Sequence, residues 1–282
     1  MWISSRALQH EQGARVVRSG ERKATPPGLE TRILICLLGD FRVLRRGQPV
    51  PLRPEGKVEQ LFGALAMGPI GGTPRRDLLN LIWPDSEHSL AGQSLNTLMY
   101  TLHRDFADVL DGQAPIVILD GRYQLNRGVG VNVDVSVFEG AADAGARLAR
   151  RGDWPGAVEA FEAALESYGG DLVVGSDVRY VVERERLRAR YLSVRSNLAE
   201  HYFAIGDVAS ALRNANALLS HDPCREDAHR LAMRCYVRLG FRAQALRQYR
   251  TCCEVLAREF NAVPERSTDE LYDLVRHSPD RV

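Results

Sequence analysis

Gly206-Asp207-Val208-Ala209-Ser210-Ala211-Leu212 and Gly240-Phe241-Arg242-Ala243-Gln244-Ala245-Leu246 share the pattern G-x-x-x-x-A-L at a separation of 34 residues. An earlier copy, Gly152-Asp153-Trp154-Pro155-Gly156-Ala157-Val158 followed by Phe161 and Leu165, lies 54 residues before Gly206, which is one period plus a 20-residue insertion. A period of this length belongs to stacked helix pairs. Small residues such as Ala211 and Ala245 allow close approach where two helices cross, and Leu212, Leu246 and Tyr249 fill the groove between them. Each pair can bury its apolar face only against the next, so the copies imply an all-α solenoid. Asp222-Pro223 ends one unit, because Pro223 cannot continue a helix. The insertion carries YGGDLVVGSD and then a long charged helix starting near Val178.

The period is that of tetratricopeptide repeats, which offer a surface to a partner and carry no chemistry of their own. Upstream of Asn126-Arg127-Gly128-Val129-Gly130 the pattern changes. From Ile33, the runs ILICLLG, FRVLRRG and VPL are separated by Gly39-Asp40 and Gly47-Gln48-Pro49 and predict a small antiparallel sheet. Lys57 to Met67 places Val58, Leu61 and Leu65 at helical spacing. A second short helix is predicted with Thr73 as N-cap, Pro74 at its first position and Leu78, Leu79 and Ile82 as its stripe, ending at Trp83-Pro84-Asp85. The third helix, about Gln93 to Phe106, separates into two faces at 100° per residue. Leu95, Leu98, Met99, Leu102 and Phe106 form one face, and Gln93, Asn96, Thr97, Tyr100 and Arg104 the other. The polar face is either a solvated surface or a set of groups for base edges and phosphates. Pro115 to Leu119, the turn Asp120-Gly121 and Arg122 to Leu125 predict a hairpin.

Sheet, three helices and C-terminal hairpin follow the order of a winged helix. The segments LLGDFRVLRRGQPVPL, DLLNLIWPDS, SLNTLMYTLHR, VILDGRYQL and VDVSVFE resemble the OmpR-type winged helix of Streptomyces antibiotic regulatory protein (SARP) type activators. YGGDLVVGSDVRYVVERERLRARY, DPCREDAHRLAMR, GFRAQALRQY and LAREFNAVPERSTDELY resemble the bacterial transcriptional activator domain that follows it in those regulators. The resemblance covers about Leu34 to Tyr272, with Tyr180 standing where the family often has Trp. It implies that the third helix enters the major groove, that the hairpin touches the adjacent backbone, and that the repeat domain supports dimerisation.

The expected architecture is an α+β winged helix-turn-helix domain followed by an all-α tetratricopeptide-like helical repeat domain. Its expected boundaries are a flexible tail over 1–32, the winged helix over 33–127, a linker over 128–140 and the activator domain over 141–276. Gln93, Asn96, Thr97 and Tyr100 are the expected base-facing residues, and Arg75, Arg76, Arg104 and Arg122 the expected phosphate contacts. Expected partners are double-stranded promoter DNA, RNA polymerase subunits and a second copy bound through the repeat domain.

Charge qualifies this reading. The 282 residues carry 37 Lys and Arg against 36 Asp and Glu, a net +1. By segment this is +3 for the tail, −2 for residues 33–139 and zero for 140–282. Where family members carry several arginines on the third helix, this chain has Gly92, Asn96, Thr101 and His103, keeping Arg104. Few cations mean weak phosphate neutralisation, so the alternative is a protein-interaction module whose winged helix has lost most DNA affinity.

Other functions find no support in the pattern. Length and 45% apolar content predict two globular domains. Five cysteines without a CxxC pair argue against disulfides or zinc and for a reduced cytoplasmic setting. No stretch approaches a membrane span, and neither a phosphate loop, GxSxG, HExxH nor a dinucleotide fingerprint occurs, so no enzyme, cofactor or metal is expected. His229 is expected to be packed, at most one of Cys252 and Cys253 to be buried, and Arg184, Arg186, Arg188 and Arg190 to form a solvated face with local ion pairs.

Overall fold

The computed structural model of the protein describes residues 31–52, 56–69, 71–173 and 178–282. Residues 31–282 form one compact unit, and the expected tail lies outside the described residues except for Thr31 and Arg32. Those two belong to the folded unit: Arg32 N–H donates to the Gly130 carbonyl at 3.0 Å, and Asn132 Nδ2 donates to Thr31 Oγ1 at 2.8 Å.

The chain begins with β1 (Ile33–Cys36), β2 (Arg42–Arg45), β3 (Gln48–Pro49), α1 (Lys57–Ala66), β4 (Thr73–Pro74), α2 (Arg75–Ile82), α3 (His88–Phe106), β5 (Ile116–Leu119) and β6 (Arg122–Leu125). After a 3-10 turn at Arg127–Val129 come β7 (Val131–Val133), α4 (Asp134–Arg150), α5 (Trp154–Ser167), α6 (Val178–Ala204), α7 (Val208–His221), α8 (Glu226–Arg238), α9 (Arg242–Phe260) and α10 (Arg266–His277). Four strands form one sheet in the order β3-β2-β1-β7, and three form the wing sheet in the order β4-β6-β5. The architecture is a winged helix followed by a tetratricopeptide-like helical domain.

Three local expectations are corrected. Thr73 does not cap α2: Thr73 and Pro74 pair with Tyr123 and Arg122 of the wing, which satisfies their backbone, and Thr73 Oγ1 is buried without a hydrogen-bond partner. α3 begins at His88, earlier than periodicity suggested, because its first buried positions are the small Ala91 and Gly92 while Leu90 faces solvent. Residues 128–140 do not form a free linker. β7 pairs in parallel with β1, Ile33 opposite Val131 and Ile35 opposite Val133, and α4 starts on the next residue.

That continuity joins the two halves. Asp134, the first residue of α4, is 5% exposed, and its carboxylate accepts N–H bonds from Leu37 and Leu38 at 2.9 Å and from Val135 at 2.7 Å. Burial pushes its pKa up, against the pull of these three N–H groups and of Arg42. Beside it, Gly39 N–H donates to the Asp171 carbonyl at 3.0 Å, Val173 N–H to Leu37 at 2.9 Å, and Leu38 bridges Leu172. The backbones meet so closely here that a Cβ on Gly169 would stand 2.6 Å from the Leu38 oxygen, and one on Gly39, at φ +95°, 2.8 Å from Gly169. Tyr168 packs against Phe138 and stacks on Tyr191 at 4.4 Å, with its hydroxyl on Asp171. A single apolar core therefore runs from Ile33 of β1 to Leu198 of α6.

In the repeats, Gly152, Gly206 and Gly240 all have φ near +80°, the left-handed turn that ends one helix and aims the next. Asp153 and Asp207 then cap α5 and α7 by accepting from Gly156 and Ser210 N–H at 3.1 Å. Ala157, Ala211 and Ala245 are fully buried at the crossings. α10 closes the stack, with Tyr272 on Tyr249 at 4.0 Å and Val275 buried, and turns Arg266, Glu270 and Asp273 to solvent. The arginines of α6 are tied down more than a solvated face requires. Arg186 bonds Glu139 of α4 and Glu183, Arg190 pairs with Asp143 of α4, and Arg184 and Arg188 donate to the carbonyls of Leu172 and His221.

Two measurements check this packing. Gly169→Ala is expected to cost about 2 kcal/mol in urea unfolding, because its neighbour is backbone and cannot yield. Gly140→Ala, on an open face of α4, is expected to stabilise by roughly 0.5–1 kcal/mol. His229 supplies a pH dependence. It is 2% exposed, with Nε2 on the Pro223 carbonyl at 2.8 Å and Nδ1 facing Gln248 Nε2 at 2.7 Å. Burial lowers its pKa below 6.5, outweighing Pro223, Glu226, Asp227 and Gln248, which raise it. The unfolded chain then binds the proton that the folded one refuses, so the stability contribution is full above about pH 6.5 and is lost as pH falls below it. Unfolding midpoints measured down to about pH 5 are expected to fall more steeply for the wild type than for His229→Gln.

Candidate nucleic-acid interface

α2 and α3 are held as a helix-turn-helix by apolar residues on one side of each. Leu78, Leu79 and Ile82 of α2 and Leu95, Leu102 and Phe106 of α3 are buried in the common core, with Leu98 and Met99 packed at its edge. The opposite side of α3 is left to solvent. Gln93, Asn96, Thr97, Tyr100 and Arg104 are all exposed, Tyr100 to 70%. The two faces separate as helical spacing predicted.

The wing stands beside α3. β5 and β6 are joined by Asp120 and Gly121, both at positive φ (+50° and +73°), the two-residue turn that matches strand twist. Tyr123 and Leu125 turn inward, whereas Ile118 and Leu119 remain exposed on the outer strand. Arg122 donates to the Gly72 carbonyl at 3.3 Å and Gln124 to Gly71 at 3.2 Å, pinning the wing to the loop before α2.

Arg75 is the junction of these parts. Its Nη1 donates to the Tyr123 hydroxyl at 2.6 Å, and its Nη2 to the Gly92 carbonyl at 2.9 Å and to Asn96 Oδ1 at 3.0 Å. One guanidinium thus ties the start of α2 to the wing and to two turns of α3. Gly92 makes room for it, since a Cβ there would lie 3.2 Å from Arg75 Nη2. Arg75 was expected to face phosphate, and three of its five N–H donors are instead spent inside the protein. Tyr123 and the Gly92 carbonyl were not singled out in the sequence. A buried phenol and a backbone oxygen carry no spacing signal, although the glycine in a helix that elsewhere bears arginine was visible.

The remaining cations are few. Arg76 is exposed at the start of α2. Arg104 is 64% exposed at its side chain and pairs with neighbouring Asp105 at 3.0 Å. Arg45 and Arg32 are matched by Asp108 and Asp111 just beyond α3. Among the described residues no three His, Cys, Asp or Glu side chains group to hold a metal ion, and no helix is long and apolar enough to cross a membrane.

Known proteins supply the family. The model of the bacterial transcriptional activator domain matches residues 133–276, so its first residue is the last of β7 and its second is Asp134. The transcriptional regulatory proteins MoaR1 of Mycobacterium bovis (strain BCG / Pasteur 1173P2) and Mycobacterium tuberculosis (strain ATCC 25618 / H37Rv) are each 25% identical over 260 residues, 90% of this chain and 82% of theirs. Among solved structures, Mycobacterium tuberculosis EmbR in complex with a low-affinity phosphopeptide shares the fold, with a TM-score of 0.70 at 19% identity over 88% of this chain. The chain spans 65% of the EmbR chain. With just over half of its length matched, and a winged helix built onto the matched part, the chain belongs to the bacterial transcriptional activator domain family and is a SARP-type transcriptional regulator, not an enzyme.

Proposed function

We propose that the protein acts in the cytoplasm by binding double-stranded promoter DNA with α3 in the major groove, as an activator of a nearby gene cluster. The observation that carries this is the exposed row of Gln93, Asn96, Thr97 and Tyr100 on a helix whose other side is locked in the core beside a wing. These side chains suit base edges, while Arg76, Arg104 and Arg122 meet phosphates. Arg75 serves chiefly to position α3 and the wing. The repeat domain dimerises or contacts RNA polymerase subunits.

The second reading is a protein-interaction module with little DNA affinity. Residues 33–139 hold ten basic against twelve acidic residues, and Arg75 and Arg104 already have partners in the protein. Recovery of a protein partner by cross-linking, independent of DNA, favours this reading.

A gel-shift titration against the promoter region beside the protein's own gene, at two salt concentrations, decides between them. A shift at micromolar protein is expected, with a shallow log-log salt slope of about −3 from roughly three phosphate contacts. Absence of any shift at low salt rejects DNA binding. Arg104→Ala is expected to weaken all sequences alike and flatten that slope by about one, whereas Asn96→Ala is expected to alter site preference by relaxing it at the position Asn96 reads.

A further inference from the structure

We infer that Arg75 fixes the base specificity of Asn96, so that Asn96 selects guanine and not adenine in the bound site. This rests on the proposed DNA-reading role of α3 and adds to it the identity of one base.

An Asn carboxamide has an oxygen that accepts and a nitrogen that donates, and the two are exchanged by a half turn of the group. Next to a guanidinium that ambiguity disappears, because arginine has only donors. The Asn96 atom 3.0 Å from Arg75 Nη2 is therefore the oxygen. Arg75 is itself held in place, by the Tyr123 hydroxyl at 2.6 Å and the Gly92 carbonyl at 2.9 Å, so the donor stays where the Asn96 oxygen meets it. Tyr123 is itself 4% exposed and is paired with Thr73 across the wing sheet. With Oδ1 turned to Arg75, Asn96 leads with Nδ2 and its two hydrogens on the exposed face of α3.

The usual asparagine contact with adenine needs both ends of the amide, oxygen to N6 and nitrogen to N7. Here one lone pair of the oxygen is taken by Arg75, which turns the amide away from the side-by-side presentation of both ends that adenine needs. Guanine offers two adjacent acceptors, O6 and N7, and suits a group that only donates. The neighbouring residue has the opposite polarity. Thr97 Oγ1 donates its hydrogen to the Gln93 carbonyl at 3.0 Å, which leaves lone pairs facing outward. Asn96 and Thr97 thus set a donor beside an acceptor, and the base under Thr97 is one whose edge carries an amino group, cytosine or adenine.

Duplexes selected from a randomised library by the full-length protein, sequenced for the wild type and three variants, test this. The wild type is expected to enrich one guanine position, with roughly tenfold preference over adenine, and Asn96→Ala is expected to relax that position alone. In Asn96→Asp one carboxylate oxygen stays on Arg75 and the other turns outward, so the same position is expected to change from guanine to cytosine. Arg75→Met, checked for unchanged thermal unfolding, frees the amide to turn and is expected to admit adenine there while other positions keep their bases. If Arg75→Met unfolds, the Asn96→Asp arm decides alone. Enrichment of adenine by the wild type at the position that Asn96→Ala relaxes, or an unchanged site for Asn96→Asp, overturns the inference while leaving DNA binding intact. A library that yields no enriched sequence removes the sequence-specific reading by α3, and the inference with it.

Discussion

The carboxylate of Asp134 sits where two architectures meet, and both depend on it. It is the first residue of the first helix of the activator domain, yet its oxygens satisfy the N–H groups of Leu37 and Leu38 at the end of the first strand of the winged helix. A buried anion at a helix N-terminus is favoured by the helix dipole, and here it also supplies partners for strand-end groups that would otherwise be orphaned. The residues around it follow from this anchor. Leu38 is brought against Leu172, the glycines at 39, 169 and 170 let the backbones touch, and Tyr168 fills the space between Phe138 and Tyr191. The segment YGGDL, which stands out in the sequence as an insertion in the repeat period, is thus the contact surface for the winged helix.

The repeats were legible because their determinants are periodic: a glycine at positive φ, an aspartate cap in two of three copies and an alanine at each crossing. The wing turn and the two faces of α3 were legible for the same reason. What escaped was non-periodic. β7 is three residues long and looks like linker, and only its parallel pairing with Ile33 to Ile35, about a hundred residues earlier, makes it a strand. Thr73 and Pro74 have the residue types of a helix start, but tertiary pairing with the wing overrides them. The α6 arginines alternate with glutamates as a solvated face does, and their partners on α4 lie 47 residues away.

Charge counting also changes meaning once geometry is known. Arg75 counts as a cation in the sum, but it works as a bracket between α2, α3 and the wing. The glycine at position 92, conspicuous as a missing arginine, leaves room for the bracket, since a Cβ there would press on Arg75 Nη2 at 3.2 Å. In the proposed DNA-reading role, the winged helix would trade long-range attraction to the DNA backbone for a fixed presentation of a few polar groups, an exchange that lowers non-specific affinity more than discrimination.

The core shared by the winged helix and the first repeats carries a mechanical consequence. A tether between domains lets a recognition helix swing to meet its target, and any mismatch of spacing is absorbed as linker entropy. Here β7 runs directly into α4, and one apolar core spans the junction. A second copy joined through the solenoid would bring its own α3 at a distance and angle dictated by protein surfaces alone. In such a pair the molecule would act as a ruler, and the separation of two sites along DNA would become part of what it recognises.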